Sequence, residues 1–234
     1  MNGLRSVISL LLVSVMSPLA AQEIEVMQLR FEHSEPGVGV FQSRLLMNER
    51  YLRLDNGFDY DDFMLFDRRS RQIHSVNHES RLLVILQPSG PKPVEFEMDF
   101  RVEQKPLQDA PAIGGQKAME YRFFADDELC KTSVNVAGML PQVRQALIDY
   151  RQVRQDQDTH NIAQLPLELK TACYMANNIL HSIDHLQPGF PIMVSDDQGR
   201  QQRLLDFKQV TKPAQIFELP EDYRNFTAPV GAQD

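Results

Sequence analysis

Residues 23–136 read almost throughout as strand. The clearest run is Val94 to Glu103, where Val94, Phe96, Met98, Phe100 and Val102 alternate with Glu95, Glu97, Asp99, Arg101 and Glu103. Strict period two over five apolar positions predicts a strand with one face buried and the other in water. That pattern favours an antiparallel sheet, because strands of parallel sheets are usually covered on both faces. Leu52 and Leu54 against Arg53 and Asp55 repeat it in a shorter piece, whereas Leu82 to Leu86 is continuously apolar and predicts a strand buried on both sides. Turn signals at Pro36-Gly37, Asn56-Gly57, Pro88 to Pro91 and Pro106 to Gly115 divide the region into about eight or nine strands, mostly joined as hairpins.

The period then changes. Met139, Leu140, Val143, Ala146, Leu147, Tyr150 and Val153 recur at helical spacing, and the polar stretch Arg154 to Asn161 breaks the run. Leu169, Ala172, Cys173, Ala176, Ile179, Leu180 and Ile183 form the apolar face of a second helix, which Pro188-Gly189 stops. Strand patterns return at Phe190 to Val194 and Arg203 to Val210, around a turn at Asp196 to Gly199. Strands, two helices and strands again predict an α+β domain. An antiparallel sheet of about ten strands would curl, giving a curved sheet or incomplete β-barrel wrapped around two amphipathic helices.

Three stretches carry a family resemblance. They are Met47 to Asp55, a strand presenting Arg and Asp to solvent; Phe63 to Arg68 followed by Gln72 to Val76, a strand–Asp-Arg–turn–strand hairpin; and Gly189 to Ile192 with the Gly199 turn and the ending Ile216 to Tyr223. In that order they resemble the periplasmic lipoprotein-carrier (LolA/LolB-like) fold and related exported proteins of unknown function. The resemblance implies an incomplete barrel with helices across its open side and an apolar cavity for acyl chains. The helical insert and the pair Cys130/Cys173 do not map onto a carrier, and no carrier residue is carried over. Fold likeness alone does not establish function.

The N-terminus changes the picture of where the protein works. Arg5 precedes the apolar stretch Ile8 to Met16, and Leu19-Ala20-Ala21 supplies small residues before Gln22. Nine residues of helix reach only about 14 Å, against roughly 30 Å of hydrocarbon. Residues 1–21 therefore read as a cleaved signal peptide, followed by one domain over 22–227 and a loose tail over 228–234. No later segment is a membrane span, so the expected site is the periplasm of a Gram-negative cell. In an oxidising compartment Cys130 and Cys173 are most simply one disulfide, the alternative being two buried thiols.

Charge and motifs narrow the chemistry. With 32 acidic and 24 basic residues and no basic stripe, nucleic acid is an unsuitable partner. Two cysteines exclude a thiolate metal cluster. His181 and His185 stand four apart, but Ser182 takes the place of the glutamate of a His-Glu-x-x-His zinc motif. The pair suits a helix C-terminus, where the dipole favours positive charge. Asp55, Asp59, Asp61 and Asp62 match no calcium loop and read as a solvated hairpin turn, as does Asp196-Asp197-Gln198-Gly199. Nucleophile elbows, phosphate loops and dinucleotide fingerprints are missing, so neither an enzyme nor a cofactor is expected.

The leading expectation is an exported, non-catalytic protein that binds a lipid or a lipoprotein's acyl chain in its half-barrel. The pocket would lie between Leu180 or Ile183 and Phe96, Met98 and Phe100. Ten Met and 13 Phe suit an adaptable lipid pocket or simply fill a core. The alternative is a periplasmic protein-interaction or envelope-stress-sensing module without bound lipid, presenting an exposed apolar patch to an envelope protein.

Overall fold

The computed structural model describes residues 22–90, 94–108, 112–113 and 115–228. The expected leader over 1–21 and residues 229–234 of the expected tail lie outside the described residues. Twelve strands form one sheet. In chain order they are β1 (Glu23–Glu35), β2 (Gly39–Met47), β3 (Tyr51–Asp55), β4 (Phe63–Asp67), β5 (Gln72–Asn77), β6 (Leu82–Leu86), β7 (Phe100–Pro106), β8 (Ala118–Ala125), β9 (Glu128–Val136), β10 (Phe190–Asp196), β11 (Gln201–Pro213) and β12 (Arg224–Thr227). Their spatial order is β12-β6-β5-β4-β3-β2-β1-β11-β10-β9-β8-β7, so the sheet is open, with β12 and β7 at its two edges. Every neighbouring pair is antiparallel except β12 on β6. The α+β class expected from the changes of period is the class observed.

One face of β1–β5 is the floor of the main core. Leu29, Phe31, Leu45, Met47, Leu52, Phe66 and Ile73 pack with Val143, Ala146, Tyr150 and Val153 of helix α1 (Pro141–Asn161). The apolar stripe read from the sequence is the face that α1 buries, and Tyr150 meets Phe66 edge-on at 6.0 Å. The helix does not stop at Arg154. Its last two turns remain helical because buried polar side chains find partners: Gln157 Nε2 donates to Gln87 O at 3.1 Å, and Thr159 Oγ1 donates to Gln155 O at 2.7 Å.

The opposite face is covered as well. Val26, Leu46, Leu65, Val76 and Leu83 pack under Ile216 and Phe217, with Leu219 and Tyr223 beside them. This covering corrects the expectation that Arg53 and Asp55 face water. The Asp55 side chain is fully buried, and the Arg53 side chain is only 2% exposed. Asp55 accepts from Arg44 Nε (2.9 Å), Arg44 Nη2 (2.7 Å) and Arg53 Nε (2.7 Å). Arg53 also donates to the Ile216 and Asp59 carbonyls at 2.6 and 3.0 Å, and its guanidinium lies 3.9 Å from the centroid of the Phe63 ring. Asp59 bridges Arg44 at 2.7 Å and Lys212 at 3.1 Å. Burial pushes its carboxyl up, but those two cations hold it below its usual value. Asp55 and Asp59 thus belong to a buried ionic network and not to a solvated turn.

Two more expectations need correction. Val94 to Asp99 keeps its alternation of exposure but forms no ladder, and the strand begins only at Phe100. Phe100 already pairs with Ala125, the last residue of β8 before the turn at Asp126-Asp127, so the chain ahead of it has no strand to join. The second helix is also shorter than its periodicity predicts: an α-turn α2 (Ala172–Met175) runs into a π-turn over Ala176–Leu180. Leu169 lies outside it in a 3-10 turn.

Gly189 passes so close to β9 that a Cβ there would stand 2.6 Å from Val136 O and 2.8 Å from its carbon. Gly189→Ala is expected to cost about 1–3 kcal/mol, the range for forcing extra volume into a packed site. Urea unfolding would show it as a lower midpoint with an unchanged slope.

Candidate ligand cavity and its polar annexe

Between the sheet and α1 lies a cavity of about 710 Å³, within the roughly 300–1,000 Å³ of small-molecule sites. Phe31, Leu45, Leu54 and Met64 supply its sheet side, and Leu147 and Tyr150 its helix side. The Tyr150 hydroxyl reaches Met64 Sδ at 3.6 Å, and Ser43, Ser75 and Asn77 add further polar groups on the sheet side. The mouth is polar. His33, stacked on Phe41 at 4.8 Å, meets Ser43 Oγ through Nε2 at 2.7 Å. Ser182 Oγ donates to Gln155 Oε1 at 2.7 Å, while Arg151, Arg154 and Asp158 complete the helix side of the rim.

A second pocket of about 270 Å³ shares His33, Phe41, Arg151, Asn178 and Gln202 with the first, so the two adjoin. It is polar and charged: Lys131, Arg151 and Arg200 line it together with His185, Glu35 and Asp196. Lys131 comes from β9, where it alternates with Thr132 and lies on the same side as Ser133 and Asn135. Asn135 Nδ2 donates to His185 O (2.7 Å) and Gly189 O (2.9 Å), and so draws the segment 185–189 over this face. Lys131 is left 8% exposed. Burial first, and then Arg151, push its amine down to about 7, against a smaller opposing pull from Asp196, Asp184 and Asp197. Burial, with Lys131 and Arg151 adding to it, likewise holds His185 well below its usual value.

Not all of the residues singled out from the sequence gather at these cavities. Met98 and Phe100 pack against Ala125, Ala176 and the Cys130–Cys173 pair, and Phe100 stacks flat on His181 at 3.5 Å. Phe96, Met98, Phe100, Leu180 and Ile183 do not line the main cavity, whose lining comes mostly from β1–β5 and α1, with Asn178, Ser182 and Gln202 beside them. His181 Nδ1 pairs with Asp184 at 2.8 Å, whereas His185 turns into the polar annexe. Among the described residues no group of three His, Cys, Asp or Glu is placed to hold a metal ion, and no helix is long and apolar enough to cross a membrane.

Cys130 and Cys173 form a disulfide with a Cα–Cα distance of 4.9 Å, so the disulfide reading is the one observed. It ties β9 to α2, and Asn177 Nδ2, one turn further on, donates to Cys130 O at 3.0 Å. The bond therefore anchors the segment that carries Asn177, Asn178 and Ser182 to the cavity rim. The bridge was legible in the sequence; Lys131 and Arg151 as site residues were not. Alternation along β9 places Lys131, Ser133 and Asn135 on what reads as a wet face, and only the cover by 185–189 makes that face interior.

No family model and no characterised protein matches the chain. Among solved structures, two crystal forms of PNGF-II, in space groups P21 and C2, align with 88% of the chain at 9% and 8% identity, with TM-scores of 0.42 and 0.38. The chain spans about a third of the length of either. A likeness at that level identifies neither fold nor activity.

Proposed function

We propose that this is an exported, non-catalytic protein that binds the apolar chain of a lipid or lipidated partner between the sheet and α1. The observation that carries the reading is the cavity itself: an apolar floor of Phe31, Leu45, Leu54, Met64, Leu147 and Tyr150 opening through a polar mouth. An acyl chain lying there would remove methylenes from water at about 0.8 kcal/mol each before ordering costs. In this reading the sheet curves around the helices as in the lipoprotein carriers, and the leader over 1–21 directs the protein to the periplasm. The disulfide suits that compartment.

Leu147 is half-buried on α1 and borders the empty space, so Leu147→Trp should fill it without disturbing the core beneath. The wild-type protein, once delipidated, is expected to bind a fluorescent fatty acid saturably at micromolar levels. Leu147→Trp should weaken that binding by at least about tenfold at unchanged thermal stability. Absence of saturable binding by the folded wild-type protein would contradict the proposal.

A second reading, a protein-interaction module, draws on the β1–β2 hairpin, where Val38 and Val40 are each 70% exposed and Phe41 is 42% exposed. Single exposed apolar residues are ordinary, but three within four positions beside the mouth suit a contact with another protein. That reading predicts a partner whose binding is lost on Val38→Asp and Val40→Asp together and is indifferent to Leu147→Trp.

A further inference from the structure

The polar annexe adds something to the cavity that an apolar chain alone does not require. Most of its acidic neighbours are already engaged, Asp158 beside Arg151 and Arg154 being an exception. Asp196 takes Arg200 Nε at 2.7 Å and the backbone N–H groups of Gln198 and Arg200; Asp197 accepts from Asn177 Nδ2 at 3.1 Å; Asp184 holds His181. Glu35 stands at the rim with no hydrogen-bond partner for its carboxylate among the described residues. Against this, Lys131 and Arg151 form no ion pair and no side-chain hydrogen bond among the described residues, although Lys131 is more than nine-tenths buried. With its amine held near 7, Lys131 is only partly charged, and an anion arriving beside it and Arg151 would accept from both groups and keep the lysine protonated. The protein as a whole carries a net charge of −8, so this basic pair runs against its surroundings.

We propose that Lys131 and Arg151 bind the anionic headgroup, carboxylate or phosphate, of an amphiphile whose chain lies in the adjoining apolar cavity. The inference rests on the binding role proposed above and specifies the ligand class for the same site. Three features of the structure agree. The two pockets adjoin, with Arg151 and His33 lining both, so the head of a chain in one lies beside the other. The annexe, at about 270 Å³, has room for a headgroup and not for a second chain. The donors left over are those that suit an oxyanion: a lysine ammonium and the forked N–H groups of an arginine. His185, held neutral beside them, adds no competing charge but closes the pocket's inner wall. The neutral esters of the same chains would bury the cations without compensating them.

The test uses cis-parinaric acid and its methyl ester, two fluorescent probes with the same chain and different heads, on the full delipidated protein. The acid is expected to bind at least about tenfold more tightly than the ester, the gain of one or two charge-assisted hydrogen bonds. Lys131→Met and Arg151→Met should each bring the ratio of acid to ester affinity down toward one, whereas Leu147→Trp should weaken both and leave the ratio unchanged. Either of the first two variants suffices if the other does not fold. Equal binding of acid and ester by the wild-type protein would overturn the headgroup assignment while leaving the cavity reading standing. Failure of both probes to bind would remove the cavity reading and the headgroup with it. Inorganic phosphate and acetate identify the source of the anion. Tight binding of either ion alone, matching that of the acid, would mean a free-anion site and would overturn the amphiphile.

Discussion

Asp55→Ala is expected to destabilise the protein by about 3–5 kcal/mol, the usual cost of removing one partner from a buried ionic cluster. Asp55 is the only carboxylate that both Arg44 and Arg53 contact directly among the described residues, and its side chain has no exposure. Without it two guanidinium groups face one another under Ile216 and Phe217 with only Asp59, on the cluster's outer side, to oppose them. Arg44→Met, Arg53→Met and Asp55→Leu made together should cost far less, because no charge would be left unpaired. Chemical denaturation of the single and triple variants measures the contrast. A loss under about 1 kcal/mol for Asp55→Ala, the value of an exposed pair, would show that the C-terminal segment does not seal this face.

Cys173→Ala is the other change expected to act strongly, with a loss of about 2–5 kcal/mol in unfolding free energy. The bridge spans 43 residues of sequence, and those residues include all of α1. Beyond its effect on the unfolded chain, the bond holds α2 against β9, where Ala125, Ala176, Met98 and Phe100 pack around it. Unreduced protein in denaturant should expose no alkylatable thiol, and reduction should expose two. Two reactive thiols without reduction would contradict the assignment. Because the same bond anchors the rim residues Asn177, Asn178 and Ser182, reduction under native conditions should also raise the rate at which bound ligand is lost.

The class of fold and most of its strands can be read from the chain because they depend on local patterns. Period two marks the strands from Glu23 to Val136, and Met139 to Val153 marks the face of α1. What could not be read is which faces are covered. Arg53 and Asp55 alternate with Leu52 and Leu54 as on any half-wet strand, yet Ile216 and Phe217, more than 160 residues away, close over them. Lys131 follows the same logic on β9. Val94 to Asp99 fails for a related reason: alternation reports which side a residue faces and says nothing of whether a neighbouring strand exists to pair with. The placing of the expected pocket residues depended on the same strand. A continuous strand through Phe96, Met98 and Phe100 would have set those residues opposite Leu180 and Ile183, whereas Met98 and Phe100 pack around the disulfide, with Phe100 also stacked on His181. The main cavity instead lies between α1 and β1–β5, a placement that no sequence period encodes.

Where the chain of a bound amphiphile comes to rest decides the account most directly. Stearic acid carrying a nitroxide near its terminal methyl, added to methyl-labelled protein, broadens the NMR signals of the methyl groups nearest that end. The account predicts broadening at Leu45, Leu54, Met64 and Leu147, reversed when the nitroxide is reduced, with Leu83 and Ile216 on the opposite face unaffected. Broadening centred on Leu180 and Ile183, or equal broadening over both faces, would contradict it.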